Sequence, residues 1–125
     1  MPEGILVYDI AGPLFFGAAQ RAMGTLGTVA DKTRAVILRM EDVPVIDATG
    51  LVALESALDT LDARGCTAIL SGLQRQPARL IDKDSVLQSR KRIVVCHDFE
   101  AAVTVAKEVL ASPPSRRPSV PPAHA

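Results

Sequence analysis

Aromatic side chains are scarce in this chain, which has one Tyr, three Phe and no Trp among its 125 residues. Proteins that bind bases or sugars by stacking use such rings, so their scarcity argues against a stacking platform. The 14 basic and 14 acidic residues balance, so no global electrostatic field attracts nucleic acid or an anionic membrane. We therefore expect no nucleic-acid partner.

Thiols and imidazoles are also few: Cys66, Cys96, His97 and His124 are the whole supply. Their spacing contains no zinc-ligand pattern, and a disulfide framework needs more cysteines. Cys96 and His97 are adjacent at the end of a predicted strand, where neighbouring side chains point to opposite faces, so they form no nucleophile–base pair. Glycine-rich phosphate-binding motifs are missing as well. We expect no catalytic site, no metal site and no cofactor.

Long hydrophobic runs are also absent from the sequence. The longest mostly apolar stretch covers residues 4–19, is interrupted by Asp9 and Pro13, and is shorter than the roughly 20 residues of a membrane span. The N-terminus resembles neither a signal peptide nor a transit peptide. Apolar residues nevertheless make up 48% of the chain, which predicts a soluble domain with a substantial core.

Short apolar runs alternate with segments whose apolar residues recur at helical spacing. We predict strands at residues 5–10, 35–40, 66–70 and 92–96, and helices at residues 17–30, 51–64, 77–83 and 99–110. Gly65 is placed to end the second helix, and Asp98 to cap the last one. This alternation predicts an α/β domain with a mostly parallel sheet of four to five strands, flanked by helices.

The C-terminal residues 112–125 differ from the rest, because five of the nine prolines lie there. Such a segment buries too little apolar surface to offset the entropy lost on ordering. We therefore predict a folded domain at residues 1–111 and a disordered Pro-rich tail at residues 112–125.

Ligands bind parallel sheets beyond the carboxyl ends of the strands, next to helix N-termini. Residues 42–50 form a loop at such an end, and the free N–H groups of the following helix favour an anion. The Thr49 hydroxyl could accept a phosphoryl group there, although Asp47 would repel it; the alternative is that both residues only cap the helix. The candidate site for a phosphoryl group, an anion or a nucleotide comprises Asp47, Ala48, Thr49, Gly50, Gly72 and Arg75. For Arg75, a solvated turn is the alternative.

Residues 45–51, Val-Ile-Asp-Ala-Thr-Gly-Leu, resemble the signature of STAS domains. In that family an Asp, a small residue, a Ser or Thr, a Gly and an apolar residue open the second helix. The order of elements agrees over about residues 4–110, which leaves the tail outside the resemblance. The resemblance implies the STAS fold, which anti-sigma factor antagonists share, and no catalytic activity.

Residues 12–19 are similar to a segment of the STAS domains of SulP anion transporters, where Gly-Pro-Leu-Phe-Phe precedes small residues. Because Phe15 and Phe16 are adjacent, one face of a strand or helix cannot bury both. Exposed apolar residues directly after a strand indicate a docking surface, which we expect at Leu14, Phe15 and Phe16. The alternative is that these side chains fill the core.

The resemblance implies the cytoplasmic C-terminal regulatory and interaction domain of a SulP-type transporter of sulfate or bicarbonate in the inner (plasma) membrane. Its implied partners are the membrane domain of the same transporter, a second copy of the domain, and a nucleotide or anion. Met1 stands directly before the first strand, where many STAS domains carry an extra edge strand, so we expect a soluble fragment of a longer protein. The alternative is a free-standing anti-sigma factor antagonist, switched by phosphorylation of Thr49.

Overall fold

The computed structural model describes residues 2–26, 32–90 and 92–112. Its strands are β1 (Ile5–Ala11), β2 (Ala35–Asp42), β3 (Thr67–Ser71) and β4 (Ile93–Cys96). Its helices are α1 (Phe16–Leu26), α2 (Ala48–Ala63), α3 (Arg75–Asp82), α4 (Ser85–Gln88) and α5 (Phe99–Ala111). Strands and helices alternate as predicted, and α4 is the element of the described residues that the sequence pattern did not predict.

All four strands run parallel, in the order β1-β2-β3-β4. The predicted, mostly parallel sheet is therefore confirmed. One register row crosses the carboxyl ends of the strands and contains Asp9, Arg39, Ser71 and Cys96. The loops that carry the candidate site residues leave the sheet at this edge, which we call the carboxyl edge.

Apolar side chains form a layer on each face of the sheet. Residues 35–38 of β2 are fully buried, as a continuous apolar run in a parallel sheet predicts. One face is covered by the leucine stripe of α2, which includes Leu54, Leu58 and Leu61. The other face is covered by α5 through Ala102, Val105, Ala106 and Val109. The helices thereby bury both faces of the central strands.

The helix ends follow local rules. Gly65, with a φ of +77°, stands just after α2, and the Asp98 carboxylate caps α5 by accepting from the Ala101 N–H at 2.9 Å; both were predicted. Helix α3 begins two residues before the predicted start at Pro77. A proline fits there, because first-turn N–H groups have no intrahelical partner. Helix α4 is capped by Asp84.

Arg34 holds the end of α5: its guanidinium donates to the Leu110 carbonyl at 3.1 Å and to the Ser112 carbonyl at 2.8 Å. The predicted disorder of the remaining tail concerns residues 113–125, and the predicted end of the first helix concerns residues 27–30. Both segments lie outside the described residues. Within the described ranges, none of the helices has the length and apolar character to cross a membrane.

Candidate functional site

Two loops run side by side beyond the carboxyl edge. The Gly12 N–H donates to the Asp42 carbonyl at 2.8 Å, and the Leu14 N–H donates to the Val45 carbonyl at 2.9 Å. Leu14 also pairs with Ile46 in an isolated parallel bridge. These contacts continue the β1–β2 pairing past the strands. They bring the predicted docking segment against the loop that opens α2.

Gly50 allows this close approach. A Cβ atom added at Gly50 would overlap the carbonyl oxygen of Leu14. Leu14 cannot withdraw freely, because its N–H is bonded to Val45 and its side chain is only 1% exposed. Glycine is therefore required here for space, since any side chain would collide with main-chain atoms.

The Asp47 carboxylate caps α2. Its Oδ1 atom accepts from the Gly50 N–H at 2.6 Å and from the Thr49 hydroxyl at 2.9 Å. Of the two predicted capping residues, Asp47 is therefore the one that caps. A carboxylate in this position competes with a free anion for the positive end of the helix dipole. Thr49 and Ala48 remain exposed at the surface, so the hydroxyl is accessible to a partner.

Gln76, in the first turn of α3, holds the loop between β2 and α2 by hydrogen bonds to Ile46. Its Oε1 atom accepts from the Ile46 N–H at 2.9 Å, and its Nε2 atom donates to the Ile46 carbonyl at 2.9 Å. Gln74 adds a bond from Nε2 to the Glu41 carbonyl at 2.8 Å. Sequence reasoning missed both glutamines, because a polar residue at a helix start has no periodic signal. Together they tie the start of α3 to the end of β2 and to the loop before α2.

Gly72 and Arg75 follow β3 at the same edge. Gly72 has a φ of +67°, and its N–H donates to the Cys96 carbonyl at 3.2 Å. A Cβ at Gly72 would overlap the Glu41 side chain, whose carboxylate accepts from the Ser71 hydroxyl at 3.2 Å. A carboxylate beside Gly72 disfavours an anion there. The structure thus brings the predicted residues to one edge, but it places two carboxylates among them.

The predicted docking surface is corrected at one position. Leu14 is 1% exposed and belongs to the core, because its pairing with Ile46 directs it inward. Phe15 is 47% exposed, and Pro13 and Pro44 nearby in these loops are exposed as well. Phe16 begins α1, and its side chain lies outside the described part. The exposed apolar surface, here named the Phe15 surface, therefore consists of Phe15 and Pro13 beside the start of α2.

The two cysteines are buried, free thiols. Burial raises the pKa of Cys66, and burial together with the charge of Asp98 raises the pKa of Cys96 to about 11. Both thiols are therefore protonated at neutral pH, and the thiolate is the nucleophilic form. The described residues contain no group of three His, Cys, Asp or Glu side chains that could hold a metal ion.

The sequence and the fold of this chain are similar to those of several known proteins. The sequence profile of the STAS domain family matches residues 1–93. The sulfate transporter family protein from Wolinella succinogenes has a similar structure, with a TM-score of 0.77 and 32% identity over 90% of this chain and 92% of that chain. The STAS domain of a SulP transporter from Vibrio cholerae has a TM-score of 0.73 and 27% identity over 90% of this chain and 88% of that chain.

Bicarbonate transporter BicA from Synechocystis sp. (strain ATCC 27184 / PCC 6803 / Kazusa) is 26% identical over 84 residues. That region is 67% of this chain and 15% of BicA, so the chain spans a small part of this relative. The anti-sigma factor antagonist SpoIIAA in its unphosphorylated form has a TM-score of 0.62 over 83% of this chain and 89% of that chain. Its 14% identity shows a shared fold alone.

The profile covers most of the chain, and the four-stranded parallel sheet with its flanking helices is the fold of these neighbours. The predicted signature at residues 45–51 opens α2 through the Asp47 cap and the close approach of Gly50 to Leu14. This chain belongs to the STAS domain family.

Proposed function

We propose that this STAS domain is the cytoplasmic regulatory and interaction domain of a SulP-type secondary anion transporter of the sulfate or bicarbonate class, located at the inner or plasma membrane. The observation that carries the proposal is the similarity to the Wolinella sulfate transporter family protein, which extends over nearly the whole of both chains. The similarity to BicA supports the same class. The proposed role is non-catalytic: the domain binds a partner and regulates transport.

The proposed partner is the membrane domain of the same transporter, and the proposed contact is the Phe15 surface. Phe15 follows Leu14, which is buried and hydrogen-bonded, so the main chain before the ring is already fixed and docking costs less backbone entropy. Aromatic anchors of this kind are often interface hot spots, and their truncation costs about 2 kcal/mol or more. Loss of the ring should weaken docking about 30-fold.

The natural open reading frame gives the first test. A transporter requires a series of hydrophobic spans of about 20 residues each in the same polypeptide. A reading frame that encodes them supports the proposal, and one without any membrane span refutes it.

Uptake measurements give the second test. The full transporter with Phe15→Ala should take up less labelled sulfate or bicarbonate than the wild type at an equal amount in the membrane. Val86→Ala is the matched control, because Val86 is 40% exposed but lies on α4, which leads to the amino end of β4. Equal uptake by both variants would contradict the proposed contact.

A second STAS copy and a nucleotide or anion are further proposed partners. Self-association through the Phe15 surface should appear in sedimentation velocity and be reduced by Phe15→Ala.

A nucleotide or anion at residues 47–50 would be repelled by the Asp47 carboxylate, so Asp47→Asn should strengthen such binding in equilibrium dialysis. Weaker binding to this variant would contradict a site for anions.

The alternative function is that of a free-standing anti-sigma factor antagonist switched by phosphorylation. The exposed Thr49 hydroxyl at the start of α2 favours it, because the positive end of a helix dipole stabilises a phosphate. The purified chain should be incubated with the anti-sigma kinases of its host and analysed by intact mass. A single added phosphate that Thr49→Val abolishes would favour the antagonist, whereas an unchanged mass would leave the transporter role.

A further inference from the structure

Most basic side chains of the described residues have partners within the domain. Ion pairs or hydrogen bonds hold Lys32, Arg34, Arg39, Arg90 and Arg92, and Arg64 also has a partner. Five others make no ion pair with any residue in the ranges 2–26, 32–90 and 92–112: Arg21, Lys107 and three residues of α3, which are Arg75, Arg79 and Lys83. These three residues occur together at the start, the middle and the C-terminal cap of α3.

The spacing places the three cations on one side of α3. Residues four apart follow one another on the same face of a helix, and all three side chains are exposed, while Pro77 and Ile81 are buried on the opposite face. At 1.5 Å per residue, the row is about 12 Å long. Asp82 lies beside the row, and its one negative charge against the three positive charges leaves the row with a net positive charge. We call Arg75, Arg79 and Lys83 the α3 basic face.

We propose that the α3 basic face binds anionic phospholipid headgroups at the surface of the membrane; the choice of this partner rests on the proposed transporter function. The three cations stand on the convex surface of a helix and are spread along it, so they do not converge on one small anion. A row of separated positive charges is complementary to a plane of many phosphates. Because the whole chain has no net charge, the attraction is local to this face.

The position of α3 is consistent with that partner. Its first turn begins at the carboxyl edge, where Gln76 is bonded to Ile46, and Ile46 is paired with Leu14 beside the Phe15 surface. A domain that docks under a membrane domain through this edge would therefore bring the first turn of α3 towards the bilayer. Arg75 would then be the member of the row nearest to the headgroups.

The expected affinity is modest. Each basic residue close to an anionic membrane surface changes the partition coefficient about five-fold, so three change it on the order of 100-fold. Such binding is weak for a free domain, but a covalent link to a membrane domain raises the effective concentration of the surface to about millimolar or more. The α3 basic face would then orient the domain relative to the membrane.

The test uses the 125-residue chain and protein-free vesicles. Wild-type protein should co-sediment with vesicles made of equal parts phosphatidylglycerol and phosphatidylcholine, and should not co-sediment with pure phosphatidylcholine. The variant R75Q/R79Q/K83Q should lose on the order of 100-fold in the partition coefficient. The control R21Q/K32Q/K107Q removes the same charge from exposed residues outside α3 and should bind anionic vesicles more tightly than the α3 variant by at least ten-fold.

Three results would overturn the proposal: no binding of the wild type to anionic vesicles, equal losses in the two triple variants, or tighter binding to polyglutamate than to the vesicles. The last would assign the face to an acidic protein segment. Because the vesicles contain no membrane protein, the outcome does not depend on docking of the Phe15 surface. Lipid binding and the proposed transporter contact can therefore fail separately.

Discussion

Two helices of this domain begin in the same way, yet only one carries the family signature. At α2 the Asp47 carboxylate accepts from the N–H three residues later at 2.6 Å, and at α5 the Asp98 carboxylate does the same at 2.9 Å. The residue that donates is Gly50 in α2 and Ala101 in α5. Capping alone therefore needs the aspartate and does not need the glycine.

What distinguishes α2 is its surroundings. The main chain of Leu14 touches Gly50. Gln76 holds Ile46, the residue before the Asp47 cap, by two hydrogen bonds. In the first turn of α5, by comparison, the side chain of Glu100 is exposed to solvent. The start of α2 is therefore a junction of three chain segments, whereas the start of α5 is an ordinary capped helix.

The largest expected effect comes from filling the junction. Gly50→Ala should destabilise the domain by about 3 kcal/mol, because the new Cβ collides with the Leu14 carbonyl and the backbone must shift. Ala101→Gly, the reverse exchange in α5, should cost about 1 kcal/mol through helix propensity alone. Urea unfolding of both variants measures the difference, and equal losses would mean that the junction is not tightly packed.

Removal of the caps should have a smaller and similar effect. Asp47→Ala and Asp98→Ala should each destabilise the domain by about 1 kcal/mol, since each deletes one acceptor for a first-turn N–H. Urea unfolding should also show that Asp47→Asn and Asp98→Asn retain most of the wild-type stability, because asparagine caps nearly as well. A loss from Asp47→Asn alone would show that the negative charge at α2 is required.

A carboxyl pair formed by Glu55 of α2 and Asp84, the N-cap of α4, predicts an effect of pH on stability. The hydrogen bond with Asp84, together with burial and the charges of Asp84 and Asp59, raises the pKa of Glu55 from 4.5 to about 7. The folded state thus binds the Glu55 proton more tightly than the unfolded state, so this stabilisation is complete below about pH 4.5 and is lost as the pH rises to about 7. For Asp84, burial opposes the hydrogen bonds that lower its pKa, and its contribution is lost only at more acidic pH.

Thermal unfolding between pH 4.5 and 7 tests this pair. The wild type should lose stability across the window, and Glu55→Gln should flatten the profile, because the amide donates to Asp84 at every pH in that range. Glu100→Gln on α5 leaves the Glu55–Asp84 contact intact and should retain the wild-type slope. A flat wild-type profile would contradict the pairing.

The smallest effect on stability is expected at Thr49. Thr49→Val removes an exposed hydroxyl that donates to Asp47, and should change the free energy of unfolding by no more than about 0.5 kcal/mol. In α5 the Thr104 hydroxyl donates to the Glu100 carbonyl, and Thr104→Val should produce an equally small change in the free energy of unfolding in urea. A large loss at Thr49 alone would show that its hydroxyl is part of the fold and not a free surface group.

The sequence predicted the fold better than the site because the two depend on different kinds of information. Burial on one or both faces has a local period, so the run at residues 35–38 and the leucine stripe of α2 predicted their elements directly. The site depends on contacts between distant segments, such as Gln76 with Ile46, which no local pattern encodes. The predicted docking surface includes Leu14 for the same reason, because only the pairing of Leu14 with Ile46 across the loops shows that its side chain lies inside.

We propose that the Phe15 surface contacts the membrane domain of a transporter that contains this chain, and site-specific photo-crosslinking tests this proposal most directly. A photoreactive residue at position 15 of the full transporter, in native membranes, should crosslink to the membrane domain, because Phe15 is exposed at the carboxyl edge. The same residue at position 86, which is also exposed, should not. Crosslinking from position 86 but not from position 15 would contradict the account, and so would no crosslink to the membrane domain from either.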